Sequence, residues 1–153
     1  QQAISAYDPR VVEATGITMM VSAQGADHTA GNVPKLDCTN MSVDEVVAAS
    51  VEAQQVMASS DALGLCIFGR GVTDTNVAFV INAINDAHGT DLSEEFYKEL
   101  GVETLALEHQ FNLDAGFTVA DDELPEFFYS EPLAPTGKVA RFHGPEVNKA
   151  LGH

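Results

Sequence analysis

No stretch of this chain alternates apolar and polar residues over the length of a half-buried strand, and that narrows the fold more than any other feature. The interior carries a series of helix starts instead. Ser42-Val43-Asp44-Glu45 is a capping-box sequence, in which a hydroxyl takes the third amide and a carboxylate reaches back. It opens a run to about Ser60 that is rich in Ala, Val, Gln and Met. Asp91-Leu92-Ser93-Glu94 has the same form and is expected to open the next long segment. Between them, Val77, Val80, Ile81 and Ile84 fall on one stripe of a helix, with Thr73 or Thr75 placed to cap it and Gly89 to end it. In the last long segment Phe96, Leu100, Leu107 and Phe111 share a face, with Thr104 filling the gap. Gly101 weakens that helix by about 1 kcal/mol relative to Ala and leaves room for a kink.

The ends of the chain read differently. Residues 25–34 hold Gly25, Gly31 and Pro34 and read as loop, as do residues 35–41. After Gly116 come Pro125, Pro132, Pro135 and Gly137, a composition for an extended, wrapping tail. The expectation is one domain over residues 1–153, mostly α, irregularly multihelical, with an extended C-terminal tail.

Charge excludes several classes of function. Seven Lys and Arg face 23 Asp and Glu, a net charge of −16, which lacks the basic footprint that nucleic acid or an anionic lipid surface requires. Between Asp86 and Glu131 thirteen acidic residues accompany one base, Lys98. Such a stretch reads first as a solvated face and second as a surface for a basic partner; an acidic electron carrier is not expected to dock on it. Apolar runs such as Ala62 to Phe68 are too short to span a bilayer, and no secretory leader opens the sequence. Cys38 and Cys66 do not make a disulfide framework. A cytoplasmic protein is the expectation.

Four constellations bear chemistry-capable groups. Gly25-Ala26-Asp27-His28-Thr29-Ala30-Gly31-Asn32 sets an imidazole among small residues; alone it reads as a surface loop. Asp61-Ala62-Leu63-Gly64-Leu65-Cys66 places a carboxylate, a glycine and a thiol at a turn, where Cys66 alone reads as a small buried hydrophobe. Residues 64–71 are glycine-rich but lack the Gly-Lys-Ser/Thr ending of a phosphate loop. Asp121-Asp122-Glu123 could attract a hard cation, yet it lacks the spaced oxygens of a calcium loop and reads as an acidic turn. No Gly-x-Ser-x-Gly elbow, Cys-x-x-Cys or closely spaced histidine pair occurs among His28, His88, His109, His143 and His153.

Taken in order, the segments form a larger pattern. Ala6-Tyr7-Asp8-Pro9-Arg10 precedes the His28 loop. Asp61 to Cys66 follows, then Glu108-His109-Gln110-Phe111-Asn112 through Gly116-Phe117, then Asp121-Asp122-Glu123-Leu124-Pro125. From about Ala6 to Leu133 this succession resembles the C-terminal domain of the aldehyde:ferredoxin oxidoreductase family, tungsten enzymes with a bis-pterin cofactor. Each motif alone is weak, and five in the family's order are specific.

The resemblance implies roles at matching positions. Asp61 would bind a pterin amine or ring nitrogen, the backbone near Leu65 would touch the same pterin, and Cys66 would be the fourth ligand of a [4Fe–4S] cluster. His28 matches the family's histidine near the tungsten, where it would orient an oxygen and help move a proton. It further implies oxidation of aldehydes to carboxylic acids with ferredoxin as electron acceptor, and tungsten (or molybdenum) bis-pterin with [4Fe–4S] in a full-length enzyme. The partners would be that enzyme's N-terminal and middle domains, which carry the other three cluster cysteines in a Cys-x-x-Cys-x-x-x-Cys run. This chain lacks that run, so it is expected to be a fragment of a longer chain, without cofactor or turnover when isolated. Two alternatives remain open: the same scaffold in an aromatic-acyl-CoA reductase, or a non-catalytic acidic helical module that has lost the cofactor.

Overall fold

The computed structural model describes residues 6–153, and among them the chain forms seven α-helices and no strand. The one β element is an isolated antiparallel bridge between Leu133 and Lys138. The long helix α2 (Val43–Ala62) organises the rest. Its capping box forms as expected: Glu45 N donates to Ser42 Oγ at 3.3 Å and Ser42 N donates to Glu45 Oε2 at 2.8 Å. Two helices pack on its first half, α1 (Glu13–Val21) and the C-terminal α7 (Gly144–Leu151). There Ala14, Ile17 and Met20 meet Val46, Val47, Val147 and Cys38 in the main core.

Along the second half of α2 lies α5 (Glu95–Asp114). The contact is close because Gly101 has no side chain: a Cβ there would overlap the Gln55 carbonyl and the Ser59 hydroxyl. Ser59 Oγ donates to Tyr97 O at 2.5 Å, and Ser60 Oγ pairs with Tyr97 Oη at 2.7 Å. Gly101 therefore marks a helix crossing, and α5 runs through it unbroken. Between α2 and α5 come the one-turn α3 (Arg70–Thr73) and α4 (Val77–His88), where Val80 and Ile81 join Tyr97 in a second, smaller core. Gly89 ends α4 in the left-handed region at φ 66°.

Some local expectations give way to competing contacts. Asn76 caps α4, because the Thr75 hydroxyl donates back to Gly71 O at 2.7 Å and the Thr73 hydroxyl turns to Asp74. The second capping box does not form. Helix α5 begins at Glu95 without a side-chain cap, and Asn85 organises the entry instead, accepting from Leu92 N and donating to Leu92 O, both at 2.9 Å. Leu107 and Phe111, expected on the buried stripe, are 72% and 73% exposed, because α5 turns Gly101, Thr104, Leu105 and Glu108 toward α2 instead.

The tail is extended over much of its length but contains α6 (Phe127–Ser130) and ends in α7. Two arginines bind it to the start of the chain. Arg10 donates to Glu131 O at 2.6 Å and lies over the Phe128 ring. Arg141 grips the buried Glu13 carboxylate through two hydrogen bonds of 2.5 and 2.8 Å and also donates to Cys38 O. Among the described residues no helix is long and apolar enough to cross a membrane.

Candidate functional site

His28 opens a short 3-10 turn, His28–Ala30, capped by Asp27, whose carboxylate accepts from Thr29 N at 2.8 Å. The turn is held in place through its following residues. Gln54 Nε2 donates to Ser50 Oγ at 3.1 Å; Ser50 Oγ lies 2.9 Å from Thr18 Oγ1, and Thr18 donates to Gly31 O at 3.1 Å. Thr15 accepts from Val33 N at 3.1 Å and donates to Asn32 Oδ1 at 3.0 Å. Gly31 is required by proximity, since a Cβ there would press on Gln54 and Thr18. This buried polar chain is fully paired and fixes the loop on α1 and α2. The imidazole itself is half-buried, with Nδ1 3.8 Å from Asp27 Oδ1 and its ring 4.7 Å from that of Tyr7.

The Asp61 to Cys66 segment forms the end of α2 and the turn after it. Gly64 takes φ 67°, a conformation that favours glycine, and its N–H donates to Asp61 O at 3.0 Å. Leu65 N donates to Ser60 O at 2.8 Å, so the part of the Leu65 backbone left for a ligand is its carbonyl. The Asp61 side chain is exposed and accepts no hydrogen bond from the described residues. Cys66 is exposed as well, which overturns its reading as a small buried hydrophobe: the turn carries the thiol out of the α4 core, while Leu63 and Leu65 pack against it. The thiol that does occupy a core is Cys38, 4% exposed, and burial pushes its pKa up.

Asp61 borders a cavity of about 250 Å³. Its walls come from Ala30, from Gln54, Ala58 and Ala62 on the same face of α2, and from Thr104, Leu105 and Glu108 on α5. The end of the His28 turn and Asp61 thus share one cavity, while Cys66 lies outside it. Burial, and then the Asp61 charge, push the Glu108 carboxyl above its usual range. Glu108 and Gln54 were assigned no role from sequence. The signal available for Gln54 was helical spacing: it stands four residues before Ala58 and seven before Asp61 on α2.

The Asp121–Glu123 turn and three of the other histidines have structural partners. Asp121 accepts from Thr118 N at 2.7 Å, and Glu123 accepts from Tyr129 Oη and from Gly144 N at 3.0 Å. Asp122 faces Asn148, His109 and His153, with burial raising its pKa. His109 stacks on His153 at 4.2 Å and His143 on Tyr129 at 4.0 Å. Among the described residues no group of three His, Cys, Asp or Glu could hold a metal ion. Residues 64–71 pass from the Gly64 turn into a 3-10 turn and α3.

Comparison with known proteins gives a consistent answer. The family model described as "Aldehyde ferredoxin oxidoreductase, domains 2 & 3" matches residues 1–152. A tungsten-containing aldehyde ferredoxin oxidoreductase from Thermococcus kodakarensis is 34% identical over 143 residues, covering 85% of this chain and 23% of that protein. The protein of the same description from Pyrococcus horikoshii is 33% identical over 146 residues, 87% of this chain and 23% of its own length. That from Pyrococcus furiosus is 32% identical over 143 residues, with 85% and 23% covered. No solved structure matches. The chain thus spans about a quarter of the length of these relatives. With a helical scaffold throughout and the family model matched along nearly all of the sequence, the chain belongs to the aldehyde ferredoxin oxidoreductase family.

Proposed function

We propose that residues 1–153 form one unit, the C-terminal, cofactor-contacting part of a tungsten-pterin, iron–sulfur oxidoreductase that oxidises aldehydes to carboxylic acids with ferredoxin as acceptor. The single observation that carries this reading is the membership just described: the relatives are tungsten-containing aldehyde ferredoxin oxidoreductases. The donor set fits the groups such an enzyme would hold. Asp61 has a carboxylate beside a cavity and without a hydrogen-bond partner among the described residues, as an aminated ring edge requires. Cys66 is exposed at a turn, so its thiolate can reach a cluster whose other cysteines lie outside this chain.

The bound groups would supply two-electron oxidation at the metal and one-electron transfer through the cluster. The chain's own part is placement and proton handling. Asp61 accepts two donors from the pterin edge, and Gly64 lets the backbone come close to a flat ring. His28 presents Nε2, the nitrogen away from Asp27, to hydrogen-bond the substrate oxygen and take up a released proton. The exposed side chains beside Cys66 belong to the same account: Phe68 is 95% exposed and Val72 60%, an apolar surface suited to cover by the enzyme's other domains. The acidic face offers an acidic ferredoxin no attraction.

Replacement of Cys66 in the full-length enzyme tests this reading. Cys66→Ala is expected to lose the cluster iron while the fold persists, because the thiol is exposed and packs in no core. Cys38→Ala is expected to keep its iron and lose only stability. Normal iron in purified Cys66→Ala protein would refute the assignment.

A further inference from the structure

A groove of about 730 Å³ runs along α2 from Asp44 to Ser59. Ala150 and Leu151 in the last turn of α7, Val77 at the start of α4 and Tyr97 in the first turn of α5 wall it. It shares no lining residue with the cavity beside Asp61. Along its floor Asp44, Ala48, Val51 and Gln55 follow one another at the four- and three-residue spacing of a single helix face. Val51, Val56, Val77, Ala150 and Leu151 are only half-buried and Ala48 is exposed, so apolar surface faces the groove uncovered. The rim is acidic: Asp44, Glu52, Asp74 and Glu94 stand against one base, Lys98. Arg70 holds Asp74 at 3.0 Å, whereas Asp44, Glu52 and Glu94 are exposed and join no ion pair among the described residues.

These features select an occupant. Asp44 to Ser59 is about 22 Å of helix at 1.5 Å per residue, room for a partner helix of about four turns. An extended segment would find no sheet edge to join, since no strand forms among the described residues. A second copy would bring its own net charge of −16 to a rim of unpaired carboxylates, and like charges across an interface are costly. We propose that the groove seats a cationic amphipathic helix from the part of the full-length enzyme outside this chain. Its apolar stripe would lie on Ala48 and Val51, and its lysines or arginines would face Asp44, Glu52 and Glu94. Ala48 matters for its size, because a methyl group at the centre of the floor lets two helices approach closely. The proposal rests on reading the chain as one part of a longer enzyme, since it covers 23% of each relative.

Fluorescence anisotropy tests the chemistry of the occupant, with the 153-residue chain titrated into a labelled Leu/Lys peptide. The peptide has about 15 residues and is apolar at helix positions i, i+3, i+4 and i+7. A Leu/Glu peptide with the same apolar pattern is expected to bind at least about tenfold more weakly. Asp44→Lys with Glu52→Lys should weaken the Leu/Lys peptide about tenfold, and Ala48→Trp, which fills the floor without changing charge, should do the same. Asp86→Lys with Glu103→Lys makes the same change of charge at exposed positions outside the groove and should leave affinity within about twofold. Circular dichroism confirms that the chains compared have the same helicity. Equal losses from the two charge reversals would mean general attraction to an acidic chain and would overturn the proposal, as would undiminished binding to Ala48→Trp. In the full-length enzyme, Ala48→Cys is expected to react with a maleimide at least about tenfold more slowly than in the 153-residue chain. Equal rates would overturn the assignment to the enzyme's own chain. A concentration-dependent dimer of the 153-residue chain that Ala48→Trp dissolves would overturn it in favour of a second copy. None of these readouts involves a cofactor, so their failure leaves the iron test of Cys66 as it stands.

Discussion

The two ends of α2 face different surroundings. At its start, Val46 and Val47 close against Ile17 of α1 and Val147 of α7, and Arg141 reaches across to hold Glu13. At its end, Asp61 has no hydrogen-bond partner among the described residues, Cys66 is exposed, and Phe68 beyond it is almost wholly exposed. The cysteines repeat the contrast, Cys38 sealed beneath α1 and Cys66 turned outward. Apolar surface left open at one end of a well-packed fold is what the proposed cover by the enzyme's other domains would use. The Thr18, Ser50 and Gln54 chain ties the His28 loop, through Gly31 O, to α1 and α2.

The largest expected effect lies at the open end. His28→Ala in the full-length enzyme should lower kcat by about 10²–10⁴ while tungsten, pterin and iron contents hold, because general acid–base help is worth that much. Its pH–rate profile should also lose one limb. His109→Ala, which removes a ring stacked on His153, should do neither. Near-normal turnover by metal-replete His28→Ala would remove the imidazole from the chemistry and weaken the contrast between the ends.

A smaller effect is expected in the packed region. From helix propensity, Gly101→Ala would stabilise by about 1 kcal/mol. The α2–α5 crossing reverses that sign, because the new Cβ overlaps the Gln55 carbonyl. The expected outcome is destabilisation by about 2–3 kcal/mol, the scale of overpacking, read from urea unfolding. A stabilised variant would show that the helices separate at little cost.

The smallest effect concerns acid. Asp8 has its pKa lowered, first through its hydrogen bonds with Arg10. Glu123 is also lowered: burial opposes the shift, but Tyr129, Gly144 and Leu124 outweigh it. A carboxyl with a depressed folded pKa stabilises the fold above its unfolded pKa, and that contribution is lost as pH falls through the folded value. Glu108 has the opposite sign, since its raised pKa makes its ionisation a cost to the fold at neutral pH. Thermal melts from pH 7 down to about pH 3 should therefore fall less steeply in Glu123→Gln, and Glu108→Gln should melt slightly higher at pH 7. A steeper fall in Glu123→Gln would mean that Glu123 does not anchor the tail.

The segments that carry the family resemblance were legible because they are contiguous. The Asp61 to Cys66 turn and the His28 loop each carry their glycines and polar groups within a few residues. Glu108 stood inside a recognised segment with nothing to mark its use, since its relation to Asp61 exists only where α5 crosses α2. The threonines of α1 that anchor the His28 turn were silent for the same reason, as their partners lie on other elements.

The sequence by itself determined the helical class and several helix ends, because capping and 3.6-residue periodicity are decided within one or two turns. Ser42 and Glu45 meet on α2, Val80 and Ile81 face inward on α4, and Gly89 stops that helix. Tertiary structure alone decided which thiol is buried, why Gly101 is needed, where the stripe of α5 leaves the core and which side chains share the cavity with Asp61. Those outcomes depend on contacts between elements distant in sequence. Overlap or burial at such contacts is worth about 1–3 kcal/mol and overrides local preferences of about 1 kcal/mol.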